Sequence, residues 1–404
     1  MIKFEKALNI ILKTIKPLKS EGVDILAALG RVLAENIRSD YDIPPFTNSA
    51  MDGYAVRSVD LKGASAASPA VLKIIDDVRA GSYSKKKLLK DTAIRIMTGA
   101  PLPARADSVV MVEFTEKAVN ANFVKVFIST RKGENIRRAG EDVRKSETVL
   151  RKGVIIRPQE IGMLASMGAR RVKVYKMPRI GVLVTGDELA GMGRKLSFGK
   201  IRNSNTYCLL SEISALGAVP VNLGIAKDNP VQIREKIRKG IDRNLDMLLI
   251  SGGVSVGDYD FVKDVLIELG ANMRIWKIAI RPGKPSAFGQ INGIPVFGLP
   301  GNPVSSMVVF EQLARPAILK MCGAEKIGRP AVNAIFTGDF RKRKCFKYFV
   351  RVKISNKKGA LYASLTGPQG SGILKSLVLA EALMIVPEGI SRLRKGQKVE
   401  VQLI

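Results

Sequence analysis

The sequence has no histidine, three cysteines and one tryptophan in 404 residues. The lack of histidine excludes His-based acid–base catalysis, Ser-His-Asp and Cys-His triads, and His-ligated zinc or iron. Cys208, Cys322 and Cys345 are too few and too scattered for a disulfide framework or a cysteine-rich zinc site, and they fit a reducing compartment. Any chemistry must therefore depend on carboxylates, lysines, hydroxyl groups and backbone amides.

Acidic residues are scarce relative to basic ones. The 66 Lys and Arg residues outnumber the 36 Asp and Glu residues, which gives a net charge of +30. This balance predicts phosphorylated or polyanionic partners. The basic runs at 85–87 and 341–344 are not interleaved with aromatic residues as a stacking platform would be. The pattern therefore favours a solvated basic surface over a nucleic-acid interface.

Long apolar runs are also absent. No stretch approaches the roughly 20 residues that a helix needs to cross a bilayer. The segment 1–20 keeps a helical apolar period with lysines throughout, which is not typical of a signal peptide. We therefore expect a cytoplasmic protein with no membrane contact.

The residue pattern of the amino-terminal part of the chain changes twice, from helical to β and back to helical. Apolar spacing predicts one helix over residues 4–15 and a second over 23–34. Short β-branched runs separated by Gly, Pro, Asn and Asp then predict a small, mainly β domain over 47–142. The segment 151–176 returns to a helix, with Gly168 just past its end, followed by a strand. If this segment packs with residues 1–40, the β domain is an insertion.

Strands and helices alternate regularly over residues 177–323, and this alternation predicts a parallel sheet covered by helices on both faces. The rest of the chain reads as short strands with turns, which is typical of a small β module. The predicted fold class is therefore multidomain α/β plus β.

One glycine-rich turn follows the predicted strand 245–250. Its candidate ligand-binding residues are Ser251, Gly252, Gly253 and Ser255. Open α/β sheets bind ligands at the carboxyl ends of their strands, and glycines let backbone N–H groups approach an oxyanion. A tight turn without a ligand explains the spacing equally well, because it matches no established phosphate-binding motif.

A second turn of this kind precedes an apolar helix. Its candidate residues are Gly301, Asn302, Pro303 and Ser305. Asn302 could cap the helix and Pro303 suits its first turn, so capping alone would also account for them. Between the two turns lie Lys277, Arg281 and Lys284, which could neutralise a phosphate or remain solvated charges.

Carboxylates follow the same predicted strands. They are Asp187, Glu188, Asp228, Asp258 and Asp260. Several acids beside phosphate sites suggest a hard divalent ion, most simply Mg²⁺, although Asp228 could equally cap the helix that begins near Pro230. In the inserted domain, Asp52 and Thr98 lie in turns where ordinary turn chemistry would also explain them.

Taken in order, several segments together resemble the molybdopterin molybdenumtransferase family, the bacterial molybdenum-insertion enzymes related to the carboxyl-terminal part of gephyrin. The segments are PPFTNSAMDGYAV, MTGAPLPARADSVVMVE, NIRRAGEDV, VTGDEL, IRNSN, LGIAKD, SGGVSVGDYDF, RPGKP and GLPGNPVSSM. They are collinear and cover nearly the whole chain.

The resemblance implies an elongated homodimer of four-domain subunits. The expected domains are a helical amino-terminal domain of two segments (1–46 and 143–176), an inserted β domain (47–142), a molybdopterin-binding α/β domain (177–323) and a carboxyl-terminal β domain (324–404). It also implies a reaction in which adenylylated molybdopterin, delivered by an upstream molybdopterin adenylyltransferase, receives molybdenum from molybdate and AMP is released. The substrates would bind between the α/β domain of one subunit and the inserted domain of the other.

Residue roles follow from the same resemblance. Catalytic roles fall to Asp52, Thr98, Asp142, Glu188, Asp228 and Asp260. Glu188, Asp228 and Asp260 would hold the Mg²⁺. Substrate binding falls to the two glycine turns and to Lys277, Arg281, Lys284, Arg351 and Ser371. Two alternatives stay open: a molybdopterin adenylyltransferase, and a non-catalytic scaffold or polyanion-binding protein.

Overall fold

The computed structural model describes residues 1–193, 195–254 and 261–404. The predicted site residues Ser255 and Asp260 lie outside the described residues, as does Asp258. No described helix is long and apolar enough to span a membrane.

The chain forms two compact units. The first unit comprises Met1–Glu35, Lys152–Gly162 and Arg170–Ile404, and the second comprises Asn36–Arg151 and Met163–Ala169. The second unit therefore interrupts the first in sequence.

The first unit begins with helix α1 (Phe4–Thr14) and strand β1 (Ser20–Asp24). Helix α1 buries Phe4, Ala7 and Ile11, the apolar positions whose spacing predicts it, so this prediction is confirmed.

The second unit is mainly β, as its short β-branched runs predict. Its strands are β2 (Ile37–Arg38), β3 (Asn48–Ser49), β4 (Gly53–Val56), β5 (Ala70–Val78), β6 (Thr92–Ile96), β7 (Ser108–Met111), β8 (Thr115–Lys117), β9 (Phe123–Val126), β10 (Ile136–Arg137) and β11 (Thr148–Leu150). Six of them form one sheet in the order β7-β4-β6-β5-β9-β8, while β2 pairs with β11 and β3 with β10.

The chain continues with helix α2 (Pro158–Ser166) and strand β12 (Arg171–Tyr175). Gly168 has a φ of +70°, as a helix-terminating glycine requires, so the predicted helix end is confirmed. Strand β12 pairs antiparallel with β1, which joins the chain before and after the second unit.

The helix predicted over residues 23–34 is wrong. Val23 and Asp24 pair with β12, and only a single 3₁₀ turn follows, at Leu26–Ala28. Leu26 is 76% exposed and Leu29 55% exposed, so the apolar spacing there does not mark a packed helix face. The strand ladder outweighs a weak local helix propensity.

The central α/β part of the first unit follows the predicted alternation. Its elements are β13 (Arg179–Thr185), β14 (Leu189–Ala190), β15 (Ile201–Arg202), α3 (Asn205–Ala215), β16 (Val219–Ala226), α4 (Pro230–Ile241), β17 (Met247–Ser251), α5 (Val262–Glu268), β18 (Asn272–Ile275), β19 (Ile280–Arg281), β20 (Ala287–Ile291), β21 (Ile294–Leu299), α6 (Pro303–Val309) and α7 (Arg315–Met321). A π-helical segment, Phe310–Ala314, joins α6 to α7.

The central sheet has the order β16-β13-β17-β21-β20-β18. Strands β16, β13, β17 and β21 are parallel, as predicted, but β20 is antiparallel to β21 and β18 is antiparallel to β20. The predicted parallel sheet therefore comprises four strands, and β20 and β18 extend it as antiparallel strands. The cause is a two-residue hairpin at Asn292 and Gly293, whose φ values of +49° and +81° suit a primed turn. Helices cover both faces, with α3, α6 and α7 packed in one core and α4 and α5 in the other.

The carboxyl-terminal part is a β module. Its elements are β22 (Ala331–Phe336), β23 (Phe340–Arg341), β24 (Lys347–Lys357), β25 (Ala360–Leu365), α8 (Leu374–Val378), β26 (Ala382–Val386), β27 (Arg392–Leu393) and β28 (Lys398–Leu403). Strands β24, β25, β22, β28 and β26 close on themselves because β26 also pairs with β24. Strand β19 pairs with β24, which ties the segment 280–281 to this module.

Candidate functional site

The four parallel strands end at one edge of the central sheet. Their last residues are Thr185, Ala226, Ser251 and Leu299. Because ligands of open α/β sheets bind at this carboxyl edge, the loops that follow these residues form the candidate site.

Two acidic loops lie side by side at this edge. The Asp187 N–H donates to Asp228 Oδ2 at 3.2 Å, and the Asp228 N–H donates to Asp187 Oδ1 at 3.3 Å. Asn229, not Asp228, caps α4, since its side chain accepts from two N–H groups of the first turn. The capping alternative for Asp228 is therefore wrong. The Glu188 carboxylate folds back over Gly186, where an added Cβ would lie 2.6 Å from Glu188 Oε2.

The described residues supply only part of a metal site. No cluster of three acidic, cysteine or histidine side chains suited to a metal ion occurs within 1–193, 195–254 and 261–404. Glu188 and Asp228 nevertheless follow neighbouring strands, and carboxylate oxygens are the ligands that Mg²⁺ prefers. Thr185, only 4% exposed at the end of β13, has a hydroxyl oxygen with no hydrogen-bond partner in the described part of the chain. The donors present thus fit a hard cation or an oxyanion.

Ser251 is part of an internal network. Its hydroxyl donates to the Pro300 carbonyl at 3.0 Å and accepts from Asn205 Nδ2 at 2.9 Å. The same Asn205 amide donates to the Gly301 carbonyl at 2.7 Å, so it links the two glycine turns. The Ser251 side chain is fully buried and its bonds are internal, which argues for support of the turns over direct ligand contact.

Gly252 and Gly253 are required by close packing. Both have positive φ, and a Cβ on Gly252 would lie 2.4 Å from the Thr185 carbonyl oxygen. A Cβ on Gly253 would lie 2.7 Å from the Val262 side chain. A tight turn thus explains both glycines without a ligand.

The second turn exposes one polar side chain, that of Asn302. Pro303 begins α6 as predicted, but the Asn302 side chain makes no capping bond and is exposed. Gly301 is exposed beside it, and Ser305 lines a cavity.

That cavity, of about 580 Å³, lies where the loop 281–285, the turn 300–305 and the carboxyl-terminal β module meet. We call it the arginine cavity. Its predicted site residues are Arg281, Lys284, Asn302, Ser305, Arg351 and Ser371. Arg341 also lines it, and none of the described lining residues is acidic.

Arg351 is the most informative residue of the arginine cavity. It is 1% exposed, and its guanidinium donates to Ser376 Oγ at 3.1 Å and to the Gly370 carbonyl at 3.0 Å. No described carboxylate lies within ion-pair distance of it, and burial lowers its pKa to about 10. It therefore remains cationic at neutral pH. A buried positive charge without a carboxylate favours an anionic ligand.

The sequence prediction missed three residues of this region. Asn205 lies in the IRNSN segment, which resembles the family but suggests no role for this residue. Arg341 belongs to the basic run 341–344, whose pattern favours a solvated surface. Gln369 accepts from the Arg351 N–H and donates to its carbonyl, so it fixes the strand that presents Arg351. No local pattern marks Gln369.

Lys277 lines a different cavity, beside the amino terminus, and does not line the arginine cavity. The three basic residues that lie between the two glycine turns in sequence thus line two different cavities: Lys277 lines one, and Arg281 and Lys284 line the other.

In the second unit, Asp52 and Thr98 are brought together. The Thr98 N–H and hydroxyl both donate to Asp52 Oδ1 at 2.7 Å. These bonds from Thr98, with the positive charge of Arg95, hold the pKa of the Asp52 carboxyl below its usual value. Asp142 lies exposed on another turn, where its N–H donates to the Ile43 carbonyl.

Three family models match the chain in succession. They are described as MoeA N-terminal region (domain I and II), over residues 2–168, probable molybdopterin binding domain, over 181–320, and MoeA C-terminal region (domain IV), over 333–404. The Bacillus subtilis molybdopterin molybdenumtransferase is 36% identical over 96% of this chain and 90% of its own length. The chain belongs to the MoeA molybdopterin molybdenumtransferase family.

Other MoeA proteins agree with this assignment. The Haemophilus influenzae molybdopterin molybdenumtransferase is 36% identical over 96% of this chain and 94% of its own length. The crystal structure of a molybdopterin biosynthesis MoeA protein from Pyrococcus horikoshii OT3 is 32% identical, covers both chains completely and superposes with a TM-score of 0.85. The family resemblance and the multidomain fold predicted from the sequence are confirmed.

Proposed function

We propose that this protein inserts molybdenum from molybdate into adenylylated molybdopterin and releases AMP. The relatives named molybdopterin molybdenumtransferase support the reaction class. The observation that carries the proposal is the arginine cavity, where Arg351 is buried without a carboxylate partner beside Arg281 and Lys284. Such a set of donors suits a tetrahedral dianion such as molybdate.

The residues act by position and charge. Arg351, Ser371 and Lys284 bind the oxyanion, while the glycine turns and the exposed Asn302 orient the phosphorylated pterin. The dithiolene sulfurs of the pterin replace oxygens of molybdate. A water or molybdate oxygen attacks the phosphorus on the pterin side of the pyrophosphate, the P–O–P bond breaks, and AMP leaves with the bridging oxygen. Glu188, Asp228 and Asp260 are the residues that would hold a Mg²⁺, and a bound Mg²⁺ would supply positive charge to the pyrophosphate. Asp52 and Asp142 contribute to catalysis from the inserted domain. Thr98 keeps the Asp52 carboxyl ionised.

The proposed domains keep the boundaries 1–46 with 143–176, 47–142, 177–323 and 324–404. The match of the three family models and the compact second unit support them. We further propose a homodimer that receives its substrate from a molybdopterin adenylyltransferase. The three described cysteines are unpaired, which supports a cytoplasmic location.

The test is to incubate the purified protein with adenylylated molybdopterin, molybdate and Mg²⁺ and to follow AMP. We expect molybdate-dependent AMP release. Arg351→Gln should raise the KM for molybdate by about 10–100-fold, because one or two charge-assisted hydrogen bonds are lost. Arg343→Gln, an exposed change of equal charge outside the cavity, should have no effect.

Three results would contradict the proposal. ATP consumption in place of AMP release would indicate an adenylyltransferase. No turnover with any substrate would favour a scaffold. An unchanged KM for molybdate in folded Arg351→Gln would remove the arginine cavity from the reaction.

A further inference from the structure

Asn205 is a buried polar residue at the start of α3, and it is only 6% exposed. Its side-chain amide donates one hydrogen bond to Ser251 Oγ at 2.9 Å and another to the Gly301 carbonyl at 2.7 Å. An amide nitrogen carries two hydrogens, so this side chain uses both of its donors. Both acceptors lie outside α3, while Asn203 accepts from the Thr206 N–H at the start of this helix. Helix capping therefore does not account for Asn205.

The two acceptors belong to the two glycine turns. The pairing of β17 with β21 reaches Ser251 and Leu299, and the Gly252 N–H donates to the Leu299 carbonyl at 3.1 Å. Beyond that point, the Ser251 hydroxyl donates to the Pro300 carbonyl, and the Asn205 amide donates to both turns. These side-chain bonds continue the strand ladder into the loops, so the spacing of the two turns depends on them.

The second glycine turn is bonded in the other direction to the arginine cavity. The Val304 N–H, at the start of α6, donates to the Ser371 carbonyl at 3.2 Å. The Arg351 guanidinium donates to the carbonyl of the preceding residue, Gly370, at 3.0 Å. Ser371 and Arg351 both line the arginine cavity. A series of hydrogen-bonded segments therefore runs from Asn205 through the second turn to the buried arginine.

The second turn needs a restraint at Gly301. This residue is exposed, and a glycine has more accessible backbone conformations than any other residue. A hydrogen bond from a buried side chain on a helix restricts that freedom. Binding of an oxyanion requires donors held within about 0.5 Å of their best positions. The bond from Asn205 to the Gly301 carbonyl therefore matters for the arginine cavity, although Asn205 does not line it.

We propose that Asn205 is a positioning residue for the oxyanion of the reaction. It holds the second glycine turn against the first, and through the second turn it keeps Ser371 and Arg351 at the spacing that binds a tetrahedral dianion. The inference rests on the proposed function, which places molybdate in the arginine cavity. It adds a residue of the α/β domain that contacts no substrate and yet sets the affinity for one.

A matched pair of variants tests this role, with molybdate binding to the full-length protein measured by isothermal titration calorimetry. Asn205→Asp keeps the size of the side chain but replaces its donor group by an oxygen that repels the Gly301 carbonyl, so the Kd for molybdate should rise by about tenfold or more. Asn203→Asp makes the same chemical change two residues away. Its carboxylate still accepts from the Thr206 N–H and hydroxyl, so the Kd should change by less than about twofold.

A second substitution separates position from charge. Asn205→Ser adds no charge, and its single hydroxyl donor can serve only one of the two turns, so the Kd for molybdate should rise by about threefold or more. Serine is well tolerated at the start of a helix, so this variant carries the test if Asn205→Asp does not fold, as circular dichroism will show.

The AMP assay distinguishes positioning from a merely structural role. In Asn205→Ser, the KM for molybdate should rise together with the Kd, while kcat at saturating molybdate falls by less than about threefold, because Asn205 touches no reacting atom. A loss of folded protein would instead lower kcat and leave the KM and the Kd of the remaining enzyme unchanged.

Equal weakening by Asn205→Asp and Asn203→Asp would overturn the inference, because it would reflect added charge alone. An unchanged Kd in folded Asn205→Ser, or no molybdate binding by the wild type, would also overturn it. Molybdate-dependent AMP release by the wild type, with an unchanged KM for molybdate in Asn205→Ser, would refute the role of Asn205 and leave the proposed function standing. Molybdate binding that depends on Asn205, without AMP release in the assay, would keep the role and refute the function.

Discussion

Glu212 is a mostly buried carboxyl group on α3. Its Oε2 has no hydrogen-bond partner among the described residues. Burial, together with the negative charge of Glu311, raises its pKa to about 9, although Arg329 acts in the opposite direction. Between the ordinary pKa near 4.5 and this value, the folded protein binds a proton that the unfolded chain has lost. The free energy of unfolding therefore falls as pH rises through this window.

Glu212→Gln should remove this dependence, because the amide cannot ionise. We expect little change near pH 5, and a gain of about 1–3 kcal/mol near pH 8, where the wild type carries the cost of a buried unpaired group. Each kcal/mol should raise Tm by about 2–4 °C for a domain of this size. Thermal melts from pH 5 to 9 measure it. A variant that is less stable than the wild type at pH 8 would instead show that Glu212 is ionised and bound by Arg329.

Among the elements, the sequence predicts the alternating strands and helices of residues 177–323 because their hydrophobic periods are long and regular. It fails at residues 23–34, where the partner strand β12 lies about 150 residues away and pairing overrides local spacing. The antiparallel hairpin β20–β21 was predictable, since Asn292 and Gly293 are the residues that a two-residue turn favours. The alternation of strands and helices in the same region predicts a parallel sheet, so the two signals favour different orientations for β20.

Two glycines test these element assignments by the same substitution. Gly162 lies inside α2 with no atom within 4 Å of an added Cβ, so Gly162→Ala should stabilise the protein by about 0.5–1 kcal/mol. Gly293 has equal space but a φ of +81°, so Gly293→Ala should destabilise it by about 1–2 kcal/mol. Urea unfolding of both variants measures the difference. Effects of the same sign would mean that one of the two backbone conformations is wrong.

Across the whole molecule, the sequence does not predict how the candidate site residues are grouped in space. The arginine cavity gathers residues 281–285, 300–305, 340–351 and 369–371, which are separated by long stretches of chain. Local patterns cannot reveal such a grouping, because it depends on the pairing of β19 with β24. The same limit explains why Lys277 lines the cavity beside the amino terminus and Arg281 lines the arginine cavity, although only four positions separate them in sequence.

The proposed homodimer predicts complementation between inactive chains. If each active site takes Asp52 from one subunit and Glu188 from the other, Asp52→Ala and Glu188→Ala should each abolish AMP release. A heterodimer of the two variants then has one site with both changes and one intact site. Random exchange makes half of the dimers mixed, so about a quarter of wild-type activity should return. Denaturation and joint refolding, followed by the AMP assay, measures it. Activity that stays at the level of the separate variants, although mixed dimers are isolated with two affinity tags, would place both residues in one chain's site.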